Sequence, residues 1–262
     1  MTLRFPRIFF GTLIILTMLS VLAACNTVTQ GSGNVRTEER VVTGVQQVVL
    51  NDVGELTIIM GEAETLTIEA DDNILPLLEV DVNNDTLTVG VKRGTTIAPT
   101  VLNYTLTVPL LKAITLRGSG NAAGSITTGE DLKVVLEGSG NVNFETVTIS
   151  NLFELSTNGS GSFSVGALSA AKFYGTGGGS GDIMLSGEVA EQEVYLKGSG
   201  DYDADDLISR IARIDLDGSG NADVHVTDQL NASVDGSGSV NYTGEPEVEA
   251  SINGSGQVNR RS

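Results

Sequence analysis

His225 is the single histidine and Cys25 the single cysteine of the 262-residue chain, so chemistry that needs either group has one place to occur. Nucleophilic catalysis requires a base beside the nucleophile. Serines are plentiful, but the one imidazole lies between Val224 and Val226, where alternation along a strand turns it outward as a surface histidine. One imidazole and one thiol do not supply the ligand set of a zinc or other transition-metal site, and no cofactor is expected. What remains is oxygen chemistry. Asp203 and Asp223 stand 20 residues apart, with Asp201 close by. If units of that length stack, these three carboxylates are candidates for a bridging calcium ion, which takes oxygen ligands from flexible surroundings. Paired carboxylates also serve glycoside hydrolysis, although scattered acids more often form a solvated face. The stretch "GSGNAA", residues 118–123, matches the glycine fingerprint of dinucleotide sites. That fingerprint needs a helix after the strand, and here the motif recurs too often to be one loop.

The recurrence defines the elements that must position these groups. Gly-Ser-Gly begins at Gly118, Gly138, Gly159, Gly179, Gly198, Gly218, Gly236 and Gly254, at intervals of 18 to 21 residues. Asn or Asp follows at five of the eight copies. Mostly apolar residues stand two and four before the first glycine, as in Ile114/Leu116, Val134/Leu136 and Ile214/Leu216, and a polar residue or glycine stands just before it. Beyond the turn the alternation resumes with Val142/Phe144, Tyr202/Ala204 and Ala222/Val224. Period two on both sides of a turn describes short strands with one buried face. A unit of about 20 residues cannot bury such a face alone, but it can by coiling once and stacking on the next. The fold class is therefore all-β, a parallel β-helix of about 20-residue coils. Its seven intervals make a rod of roughly 34 Å at the strand spacing of a sheet. Propeller blades need twice the period, and the leucine-rich pattern is absent. The Gly-Ser-Gly-Asn element then becomes the corner of each coil. Glycine supplies unusual backbone angles, and stacked serine and asparagine rows are expected to satisfy corner backbone groups.

Residues 40–112 keep the alternation without the motif, in "QQVVLND", "ELTIIMGE", "LTIEADD", "DTLTVGVK" and "NYTLTVPLL". They read as irregular N-terminal coils with a cap, and 113–262 as the regular coils of one domain spanning 40–262. Arg260 in an inward slot fits the end of the stack, where an edge needs protection.

Upstream, "MTLRFPR" carries Arg4 and Arg7, and residues 8–24 are apolar with small residues at their end. This is the layout of an export signal over 1–24. It closes on Leu22-Ala23-Ala24-Cys25, which resembles a bacterial lipobox. That resemblance implies lipid attachment at Cys25, removal of 1–24, and a chain held to a cell membrane or envelope. An uncleaved membrane span is the competing reading, since the apolar run is nearly long enough. Residues 25–39 are polar and without periodicity, and read as a flexible tether with a reach of roughly 20 Å. Without the signal, 13 basic residues face 33 acidic ones, for a net charge of −20. A chain this acidic repels polyanions, which excludes nucleic acid as a partner.

"VVLNDVGELTIIMGEAETLTIEADDNILPLLEVDVNNDTLTV", "YTLTVPLLKAITLRGSGN" and the recurring GSG[ND] are similar to the putative auto-transporter adhesin, head GIN domain family, over about residues 40–258. The resemblance implies a right-handed β-helix like that of the pectin lyases. It also implies exported bacterial proteins with a role in adhesion, and it supplies no catalytic residues. The expected function is that of a lipid-anchored, extracytoplasmic surface-binding module. Its partners would be the membrane, through the lipid, and a surface polysaccharide or protein. The alternatives are an envelope module that assembles without a ligand, and a carbohydrate-active enzyme.

Overall fold

The computed structural model describes residues 28–261. The expected β-helix is there: stacked parallel coils about 20 residues apart form a β-solenoid of about seven turns. One ladder holds the strands that lead into the Gly-Ser-Gly corners, and a second holds the strands that leave them. In the first, Leu116, Leu136, Thr157, Gly177, Leu196, Leu216, Val234 and Ile252 are successive register partners. In the second, Ala122, Val142, Phe163, Ile183, Tyr202, Ala222, Val240 and Val258 are partners in turn. Four middle coils run their strands together, as in Phe163–Gly179 and Ala222–Gly236, and bend at bulges rather than at open turns.

The corners work differently from the serine-ladder expectation. All eight middle serines are exposed, and it is their backbone N–H that donates to the carbonyl one coil below, for example Ser199 to Gly179 at 2.9 Å and Ser219 to Gly198 at 2.9 Å. Side-chain laddering belongs to the next position. The Oδ1 of Asn121, Asn141, Asp182, Asp201 and Asn221 accepts the N–H of its counterpart on the following coil, at 2.7 to 3.1 Å. Each such bond contributes about 1 kcal/mol. Ser162, with a shorter side chain, interrupts the row. Both glycines are required by close approach. A Cβ on Gly198 would meet the carbonyl oxygen of Gly179, and one on Gly200 that of Gly181, far inside van der Waals contact.

The interior is filled rather than hollow. Phe144, Phe163, Phe153, Phe173 and Tyr202 form a continuous column with ring centroids 5.6 to 6.2 Å apart. This column explains why the inward slots before one corner hold Gly175 and Gly177. A Cβ there would strike the Phe173 ring or Leu196. The Tyr202 hydroxyl donates to Gln192 Oε1 at 2.7 Å, the Gln192 amide donates to Ser209, and Ser209 donates to the His225 carbonyl. The buried hydroxyl is thereby satisfied. Tyr104, equally buried, has no partner for its hydroxyl among the described residues, and burial raises its pKa far above the ordinary value. Tyr104→Phe is accordingly expected to stabilise the fold by about 1 kcal/mol, seen as a rise in melting temperature. A fall of that size would show that the hydroxyl has a partner.

Two boundaries move. Strand structure already begins at Val28–Gln30, which pairs with Thr96–Ala98, and continues at Val35–Val41, antiparallel to Thr65–Asp71. The stretch read as a tether over 25–39 is therefore folded from Val28 onward. Side-chain contacts, which polarity does not reveal, hold it in place. The covered carboxylate of Asp71 accepts the N–H of Gly33 and both the N–H and hydroxyl of Thr100, at 2.6 to 2.8 Å. The Thr100 hydroxyl is the leading reason its pKa is lowered. The regular stack, in turn, starts at Gln47 rather than at 113. Gln47–Asp52 pairs in register with Ala113–Gly118, and Asp52, at φ 80°, takes the place of a corner glycine. Between these coils the chain descends to a lower layer, Thr86–Val91 and Leu102–Val108. Antiparallel strands Thr65–Asp71 and Leu78–Asn83 cover that end, with a short 3-10 turn at Leu75–Leu77.

Candidate binding face

Outward residues on the strands leading into the corners share one face of a continuous ladder. At its middle stand two tyrosines, Tyr174 and Tyr195, on neighbouring coils, with ring centroids 5.9 Å apart. Both are half-buried and face outward, unlike Tyr104 and Tyr202, which are fully buried in the core. Arg213 lies 5.9 Å over the Tyr195 ring from the next coil. The Tyr195 hydroxyl donates to Glu193 Oε1 at 2.6 Å, and the Lys172 ammonium donates to Glu193 Oε2 at 2.8 Å. Lys172 also lies 3.6 Å from Glu191. These bonds fix the charges. The Lys172 ammonium and the Tyr195 hydroxyl hold the Glu193 carboxyl below its ordinary range, and Glu193 in turn raises both partners. Lys172 is thus charged, Glu193 ionised and Tyr195 protonated throughout the neutral range.

Beside this ridge, toward the C-terminus, runs a shallow groove of about 280 Å³. Arg213, Asp215, Asn231, Ser233, Glu249 and Ser251 line it. Donors and acceptors of both kinds thus sit next to an amphipathic ring and a planar cation. Such an arrangement suits stacking on a sugar ring combined with hydrogen bonds to its hydroxyls. Elsewhere the face carries exposed ion pairs between coils, Lys133 with Glu154 and Arg117 with Glu137, at 2.6 and 3.0 Å. Pairs this exposed contribute little to stability.

Cys25 lies outside the described residues. The corner glycines form one row down the solenoid. The calcium candidates do not converge. Asp203 and Asp223 are register partners, but the Asp223 carboxylate accepts from Asn241 at 2.8 Å and from Arg261 at 3.0 Å. Asp201 is engaged by Asn221 in the corner ladder. Among the described residues no group of three acidic, histidine or cysteine side chains is placed to hold a metal ion. The tyrosine face is missing from the sequence-based candidates, although its signal is present. Tyr174 and Tyr195 fall five and three residues before a corner glycine, in slots that alternation turns outward, where an aromatic ring has no core to fill.

Fold and face together define an all-β parallel solenoid that displays a polar, tyrosine-bearing surface. The chain belongs to the family described as putative auto-transporter adhesin, head GIN domain, whose model matches residues 45–152 and again 132–246. It is similar to a putative lipid binding protein of Parabacteroides distasonis at 26% identity and a TM-score of 0.83, covering 90% of this chain and all of that one. A putative adhesin from the same species matches at 24% identity and 0.79, over 90% and 100% of the two chains. A putative adhesin of Parabacteroides merdae matches at 23% and 0.73, over 89% and 99%. The last two likenesses show the fold. No curated protein matches the chain. Among the described residues no helix is long and apolar enough to cross a membrane.

Proposed function

We propose that the protein is an extracytoplasmic adhesin-type module, held to a membrane by lipid on Cys25 after removal of residues 1–24, which binds surface polysaccharide through the Tyr174–Tyr195–Arg213 face. The observation that carries the binding role is this face itself. Its two surface tyrosines stand side by side on adjacent coils, braced by Glu193 and Arg213, next to a groove lined with hydroxyl, amide and carboxylate groups. Membership in an adhesin family supports the same reading. The name of the Parabacteroides distasonis relative raises lipid binding as another use of the fold. Carrying a lipid inside would need an apolar cavity, whereas phenylalanine rings and aliphatic side chains occupy this interior. Neither the family nor these relatives bear the name of an enzyme.

A glycan array probed with the full chain tests the reading. Tyr195→Ala is expected to weaken binding to the best glycan roughly tenfold, the worth of one stacking contact. Tyr195→Phe, which keeps the ring and loses only the bond to Glu193, should bind within about threefold of the parent. Equal binding by Tyr195→Ala and the unsubstituted chain would remove the face from the proposal.

A further inference from the structure

The two ends of the solenoid are finished differently. At the N-terminal end antiparallel strands cover the stack. At the other end the last coil, Glu247–Gly254 and Gln257–Arg260, pairs among the described residues only with the coil below it. Its inward row is left open. Val248 is 37% exposed and Ile252 48%, whereas Leu216 and Val234, in the same column as Ile252, are each 1% exposed. An edge strand with a bare apolar row is a template for another strand.

We propose that a second copy of this chain covers this edge. The two Glu247–Gly254 strands would pair antiparallel about a two-fold axis perpendicular to the sheet, midway between the two Ala250 residues. An isologous contact must be self-complementary, and the sequence of this strand meets that condition in one register. With Ala250 opposite itself, Val248 faces Ile252 of the other copy on the inner side. On the outer side Glu249 faces Ser251, and Glu247 faces Asn253. A shift of two residues one way sets Glu249 against itself, with like charges directly opposed. A shift the other way sets Val248 against Gly254 and wastes an apolar contact. The favoured register buries both exposed rows and joins the two solenoids end to end.

The consequence reaches the outer face. Glu249 and Ser251, which line the groove beside the tyrosine ridge, would lie at the seam. The groove would then continue into its mate, and the Tyr195 residues of the two copies would sit roughly 34 Å apart along one continuous sheet, seven strand spacings. A repetitive polymer could engage both ridges at once, with the gain in avidity that linked sites bring.

Association needs no ligand, so its test is separate from that of the glycan reading. Sedimentation equilibrium of the full chain in mild detergent, over a wide concentration range, is expected to show a monomer–dimer equilibrium. Ser251 is exposed, so changes there leave the fold intact, and because association is measured without glycan the readout is independent of the groove that Ser251 also lines. Ser251→Lys, facing Glu249, should tighten the dimer and Ser251→Glu should weaken it. Each change should approach tenfold, because the two-fold axis counts every pair twice. Mild oxidation should link Ala250→Cys chains into disulfide dimers beyond the level of the unsubstituted chain, while Ser237→Cys, one coil inside, should not be linked. A monomer at every concentration would overturn the proposal. So would an effect independent of the sign of the charge at 251, or cross-linking through residue 237 as readily as through 250.

Discussion

Gly198→Val is expected to destabilise the protein by about 4 kcal/mol, combining strain at a positive backbone angle with overpacking. Gly198 has φ 151°, and a Cβ there would run into the Gly179 carbonyl. That carbonyl accepts the Ser199 N–H, so relief by moving the coil apart would break the corner's own hydrogen bond. The same contact recurs above, since Gly218 sits over Gly198 and Gly236 over Gly218. A shift at one corner must therefore be absorbed by its neighbours. Gly200→Val separates the two causes. Gly200 has no positive φ, yet its Cβ would meet the Gly181 carbonyl, so close approach alone should still cost about 2 kcal/mol. Ser199→Ala, at an exposed side chain between these glycines, should stay within about 0.5 kcal/mol. Urea unfolding of the three variants measures this order. If Gly198→Val melts with the parent protein, the corner is looser than its geometry shows.

These glycines also mark how far the sequence alone can be read. Their period, with alternating apolar flanks, is sufficient for the solenoid and for the register of its core columns, because inward and outward positions follow from the distance to the corner. The role of each corner residue is less legible. Serine and asparagine both read as ladder formers, and only coordinates distinguish a backbone donor at Ser199 from a side-chain acceptor at Asp201. Positions where another residue replaces the motif are harder still. Asp52 closes a corner without glycine, so the first regular coil carries no Gly-Ser-Gly to announce it. Val28–Val41 is held by Asp71 and by strand pairing across some thirty residues of chain, and long-range pairing leaves no local periodicity. The tyrosine face follows the same rule. Alternation places each ring outward, but the approach of Tyr174, Tyr195 and Arg213 depends on which coils are neighbours and where bulges shift the register.

The uncapped last coil and the tyrosine ridge belong to the same sheet, the one whose inward residues precede each corner. Its outward residues change character along the rod. Near the start they pair as exposed ions, Arg117 with Glu137 and Lys133 with Glu154. In the middle aromatic rings join the charges, and toward the end small polar groups, Ser233 and Ser251, alternate with acids such as Glu249. A sheet of this kind spends no side chain on its own core from that side, so its outward composition is free to serve binding.

Cys25→Ser is expected to abolish lipid labelling completely and to leave the protein longer by residues 1–24, since both acylation and cleavage in the lipoprotein pathway depend on the thiol. A serine hydroxyl at the same place is too poor a nucleophile to substitute for a thiol. Metabolic labelling with a fatty acid, read together with the intact mass, checks the two effects separately. Retained label, or a mass unchanged by the substitution, would show that the cysteine is not the attachment point. The folded chain gives this anchor a geometric consequence. Three residue steps separate Cys25 from Val28, a span of at most about 11 Å, in place of a tether reaching roughly 20 Å. Val28–Gln30 is paired with Thr96–Ala98, and Asp71 ties Gly33 to Thr100 immediately beyond. A lipid on Cys25 would therefore hold the solenoid close to the membrane through the segment fastened to its capped end. The uncapped coil would lie at the other end of the stack, where a second copy could meet it.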